Sequence, residues 1–174
     1  MDQTTKQLYM KSNFSAHPSK SFHVMLIGNN PREMGCLSNF LNRFTWKKFT
    51  VTTAFDVEQG FQKFDKSTPD YVMLDEALGH EALQSFARYV RRNKRFNPTA
   101  LAILKNTNES EFMIPGVQDY LLKSNIFSDT LPLTILNAIK LSRRKDSLLK
   151  AVEKKKSSAL NLSWFNTAFS WKEG

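Results

Sequence analysis

Five short apolar runs, spaced along one stretch of the chain, do most to restrict how this sequence can fold. They are His23-Val-Met-Leu-Ile27, Phe49-Thr-Val-Thr-Thr53, Tyr71-Val-Met-Leu74, Ala100-Leu-Ala-Ile-Leu104 and Tyr120-Leu-Leu122. Each is mostly β-branched, aromatic or leucine and is bounded by polar or turn residues, which is how buried strands read. Helical patterns lie between them. From Pro31 to Phe44, Met34, Leu37, Phe40 and Leu41 fall at helical spacing behind an Asn30 cap. From Asp56 to Lys66 an acid stands at the cap with Gln59 three residues on, followed by Val57, Phe61 and Phe64 on one face. From His80 to Asn93, Leu83, Phe86, Ala87 and Val90 share one face and Arg88, Arg91 and Arg92 the other. A long helix is expected from Leu131 to about Lys156, with Pro132 in its first turn. Between Leu104 and Tyr120, Pro115-Gly116 leaves room for a helix of only about two turns. Strands alternating with helices predict βαβ units around a parallel sheet, an α/β domain of about 120 residues.

Composition excludes several classes of function. The chain of 174 residues carries a formal net charge of +9, which brings nucleic acid or an acidic membrane surface into consideration. That charge is unevenly spread. Residues 1–20 carry three basic groups against one acid, residues 21–140 fourteen against twelve, and residues 141–174 eight against three. The folded middle is thus nearly neutral, and the excess belongs mostly to the C-terminal part. We therefore expect a flexible arm over 1–20, a folded domain over 21–142, and a basic helical extension with an aromatic tail over 143–174. No apolar run reaches membrane-spanning length, and the polar N-terminus lacks the apolar centre of a secretory signal. A lone Cys36 excludes an internal disulfide and a cysteine-cluster zinc site. The expected location is the cytoplasm.

In an open α/β sheet, sites form beyond the carboxyl ends of the strands. The residues there are Gly28-Asn29-Asn30 after the first run, Asp75-Glu76 after the third, Lys105-Asn106 after the fourth and Lys123-Ser124 after the fifth. A carboxylate, two lysines and several amides on one edge suit phosphoryl handling, with Asp75 as nucleophile and a lysine neutralising the transferred charge. Taken singly, each has a blander reading. Asp75 and Asn30 serve as cap residues, Asn29 as a turn residue, and Lys105 and Lys123 as solvated lysines.

The element order, with Pro69-Asp-Tyr-Val-Met-Leu-Asp75 and Asp119-Tyr-Leu-Leu-Lys123 in those positions, resembles the receiver domain of bacterial two-component response regulators over about residues 21–145. The resemblance implies a five-stranded, doubly wound, flavodoxin-like sheet of order 2-1-3-4-5. It also implies a phosphoacceptor at Asp75, a phosphate-binding lysine at Lys123 and a switch aromatic at Tyr120. Two departures stand out. The family's first strand ends in a pair of acids that hold magnesium, where this chain has Gly28 and Asn29. The implied Mg2+ ligands are then Asn29, Asp75 and the backbone of Ala77, a poor set for a hard cation. The family's hydroxyl residue after strand four falls on Lys105, or on Thr107 if the register slips, and Lys105 would supply a cation beside Asp75. The resemblance thus points to a degenerate, pseudo-receiver-like signalling module rather than an enzyme. Its expected partner is a protein: a sensor kinase, a phosphotransfer protein, an output protein or a second copy.

The C-terminal stretch from Lys140 to Lys156 places Leu141, Leu148, Leu149 and Val152 near one helical stripe, with Lys and Arg on the remainder. It reads as a solvated extension, as a signalling or dimerisation helix, or as a contact to nucleic acid or an acidic membrane. Binding to nucleic acid or a membrane surface through this tail is the alternative function.

Overall fold

The computed structural model describes residues 21–108 and 113–170, with side chains through 157. The arm expected over 1–20 lies outside the described residues, as do the side chains of the aromatic tail. Five parallel strands form one sheet: β1 (Phe22–Ile27), β2 (Phe49–Ala54), β3 (Tyr71–Asp75), β4 (Ala100–Lys105) and β5 (Asp119–Leu122), in the order β2-β1-β3-β4-β5. The helices are α1 (Pro31–Asn42), α2 (Val57–Lys66), α3 (His80–Arg92) and α4 (Leu131–Ser170). This is the doubly wound α/β architecture expected from the alternation of apolar runs and helical patterns.

Burial explains the sequence pattern of each strand. β3 and β4, in the middle of the sheet, are buried at every residue, whereas the edge strand β2 is buried only at Phe49 and Ala54. Strand alternation then divides the apolar residues between two cores. Val24, Leu26, Tyr71, Met73 and Leu104 pack with residues of α1 and α4, including Met34, Leu37, Ile135 and Ile139. Met25, Ile27, Val72, Leu74 and Ile103 pack with residues of α2 and α3, including Phe64, Phe86 and Val90.

The helix starts follow local chemistry. Asn30 Oδ1 accepts from the amides of Arg32 and Glu33, and Pro31 occupies the first turn. At α2, Asp56 Oδ1 accepts from Gln59 N at 2.7 Å while Gln59 Nε2 returns a bond to Asp56 Oδ2 at 2.9 Å. The chain enters α3 through Gly79 at φ 89°, a conformation glycine adopts without strain.

Between β4 and β5 the described residues 106–108 and 113–118 form bends and turns, with Gly116 at φ 93°. The middle of the stretch where a short helix had room lies outside the described residues. Asn, Thr and Ser favour turns, and Pro115-Gly116 cannot propagate a helix. One other expectation needs correction: the last helix continues past Lys156 to Ser170, since no proline or glycine interrupts residues 133–173.

Candidate functional site

Asp75 ends β3 with no exposed surface. Its Oδ1 accepts from the amide of Ala77 at 2.9 Å, and its Oδ2 accepts from Lys123 Nζ at 2.8 Å. Lys123 opens the short 3-10 turn after β5. Its ammonium also reaches Glu33 Oε2, in the first turn of α1, at 2.9 Å. Burial alone would push the Lys123 pKa down. The hydrogen bonds and charges of Asp75 and Glu33 outweigh that effect, and the pKa is raised.

Asp75 and Lys123 therefore meet as the strand-end reading requires. Glu33 was not among the residues singled out, although an acid three residues after the Asn30 cap marks a helix start at this same edge. It passes as an ordinary first-turn acid. Glu76 is a second such residue. Its Oε2 accepts from the amide of Asn106 at 2.8 Å, tying the turn after β3 to the end of β4.

Lys105 is placed differently from the expectation. Asp75 pairs across the sheet with Leu104, so Lys105 lies one residue further along β4. Alternation assigns Lys105 to the face of Leu101 and Ile103, while Asp75 shares its face with Tyr71 and Met73. The ammonium of Lys123 forms the ion pair on Asp75 at 2.8 Å. Tyr120, half-buried against the α2–α3 core, accepts from the amide of Ile114 at 2.6 Å through its hydroxyl.

At the end of β1, Gly28 has no room for a side chain. An added Cβ would lie 2.9 Å from Met34 Cε and 3.0 Å from Asp75 Cβ. The thioether of Met34 fills the space beside Asp75. Asn29 is exposed, and its Nδ2 donates to the carbonyl of Ala77 at 3.3 Å. Two of the expected metal ligands are thus bonded to each other, and the third, Asp75, already accepts from an amide and an ammonium. No group of three or more His, Cys, Asp or Glu residues able to hold a metal exists among the described residues. A hard divalent cation favours carboxylate oxygens, and of the three expected ligands only Asp75 supplies one. Beside the site, Met34, Leu37, Leu104, Ile126 and Phe127 line a cavity of about 200 Å³ with Glu33 and Lys123 at its polar end.

Solved structures share this arrangement of strands and helices. A response regulator from Thermotoga maritima aligns at 22% identity over 70% of this chain and 99% of its own, with a TM-score of 0.58. The chain has the receiver-domain fold. The receiver domain of the Francisella response regulator 1452 aligns at 20% identity over 71% of this chain and 98% of its own, TM-score 0.54. The N-terminal domain of a response regulator/sensory box/GGDEF 3-domain protein from Carboxydothermus hydrogenoformans gives 20% identity, coverage of 71% and 98%, and a TM-score of 0.57. No family model and no curated protein matches the sequence. In this receiver fold, Asp75 and Lys123 occupy the ends of β3 and β5 at the carboxyl edge of the sheet.

Proposed function

We propose that the chain is a phosphorelay receiver module that acts through protein–protein contacts, with magnesium-dependent phosphorylation at Asp75 impaired. The observation that carries this reading is that the donors around Asp75 are already used within the protein. Lys123 is held by Asp75 and Glu33, the Ala77 amide by Asp75, and the Asn106 amide by Glu76. A phosphoryl group on Asp75 would have to compete with Glu33 for the Lys123 ammonium. The packing of Met34 against Gly28 supports the same reading, because it occupies the space where an acid side chain would begin.

The site then serves as a rigid anchor for the strand ends, and recognition falls to the surface around it. The cavity beside Lys123 and the exposed ring of Phe127 suit an apolar side chain of a sensor kinase, phosphotransfer protein or output protein.

The test is incubation with acetyl phosphate and Mg2+, followed by intact-mass measurement. Little stable aspartyl phosphate is expected. Robust labelling that disappears in D75N would overturn the impaired reading and restore an ordinary phosphoacceptor.

A further inference from the structure

The fold brings together two basic surfaces that lie some fifty residues apart in sequence. Arg88 and Arg92 on α3 and Lys145 on α4 line one groove of about 440 Å³, with Arg91 in its wall. Arg91 donates to the carbonyls of Gly116 and Thr99, each at 2.9 Å, and to Gln118 Oε1 at 3.1 Å. Its charge thus has hydrogen-bond acceptors but no carboxylate. Burial lowers its pKa to about 10, which leaves it cationic at neutral pH. Arg88, Arg92 and Lys145 are exposed, with no acidic partner among the described residues. Arg88 and Arg92 also border a second groove that ends at Lys94.

Lys145 joins this region to an apolar stripe on α4. Leu141, Leu148 and Val152 recur at steps of seven and four, and are 64%, 68% and 51% exposed. By helical geometry, Lys145 and Lys156 flank the stripe on one side and Arg144 and Lys155 on the other. Residues 140–156 carry eight basic groups against two acids. The sequence then continues with Leu160, Leu162, Trp164, Phe165 and Phe169, residue types suited to a lipid headgroup boundary.

We propose that the α3–α4 face binds an anionic membrane surface, with the Leu141–Leu148–Val152 stripe lying in the headgroup region and the flanking lysines and arginines meeting lipid phosphates. Long cationic side chains beside an apolar stripe can bury their stems and keep their charges at the phosphates. Alternative occupants match less of the surface. Nucleic acid would use the cations and leave the leucines in water. A second copy packed along the stripe would set rows of lysine against lysine. No helix among the described residues is long and apolar enough to cross a bilayer, so this contact is peripheral.

The experiment is co-sedimentation of the full chain with phosphatidylcholine vesicles, alone or with about one third phosphatidylglycerol, at about 0.1 M and about 0.5 M salt. Binding is expected only to the anionic vesicles, and to weaken at the higher salt. The R88E/R92E/K145E variant should lose roughly tenfold or more in partitioning, and L148S/V152S should also bind more weakly. Circular dichroism melts check that both variants fold. Absent binding, equal binding to neutral vesicles, or indifference to either variant would overturn the proposal. So would duplex DNA binding that outcompetes the vesicles and is unchanged in L148S/V152S, or a stable dimer that L148S/V152S dissociates.

Discussion

The carboxylate of Glu76 accepts the amide N–H of Asn106 at 2.8 Å, so a negative charge one residue beyond the buried Asp75 fastens the turn after β3 to the end of β4. Replacing that carboxylate tests how much the link contributes. E76A should destabilise the domain by about 1 kcal/mol, and E76Q by less, because an amide oxygen still accepts. Urea denaturation midpoints of the three proteins check the order.

Lys123 compensates a carboxylate with no exposed surface and is itself only 22% exposed at its side chain. Removing the ammonium leaves Asp75 buried and unpaired. K123M should cost about 2–4 kcal/mol. The D75N/K123M double variant should recover much of this loss, since the uncompensated charge is gone. A double-mutant cycle measured by urea unfolding supplies the coupling. Additive losses would show that the pair contributes little.

Gly28 and Met34 compete for one space. G28D should destabilise the fold by about 1–3 kcal/mol through overpacking. Combined with M34A, which opens that space, the loss should fall short of the sum of the two single changes. Thermal or urea unfolding of the four proteins in the cycle measures the shortfall.

Lys123 and Tyr71 contribute to the alkaline limit of stability. The Lys123 pKa is raised by its carboxylate partners, and burial raises that of Tyr71 well above its usual value. In each case the folded state holds its proton more tightly than the unfolded chain. Stability is therefore complete below the ordinary tyrosine and lysine values, about 10 to 10.4, and falls as pH rises beyond them. Unfolding midpoints followed from about pH 9 to about pH 11 should drop, and Y71F and K123M should each make the fall shallower.

The strands were legible because parallel strands buried on both faces leave unbroken apolar runs, as Tyr71–Leu74 and Ala100–Leu104 do. Strand ends also converge in any such sheet, so Asp75 and Lys123 could be placed together from their positions alone. Glu33 and Glu76 were harder to see. Acids in a first helical turn or a strand-end turn are common for local reasons, and only the three-dimensional arrangement shows that they hold Lys123 and Asn106. Lys105 was placed beside Asp75 because both end neighbouring strands. Strand alternation assigns Lys105, one step beyond the Asp75 partner Leu104, to the other face of the sheet. The groove shared by Arg88, Arg92 and Lys145 joins helices distant in sequence, and no periodicity within one helix could reveal it.

The length of α4 gives the domain a mechanical property. Its buried root includes Ser142, whose hydroxyl bonds the carbonyl of Asn97 at 3.2 Å. From there the helix runs on to Ser170, about 42 Å at 1.5 Å per residue. A tilt of about 10° at the root would carry the far end through about 7 Å over that span. The turn that holds Lys123 leads, through residues 126–130, into this helix, whose length amplifies any tilt at its root.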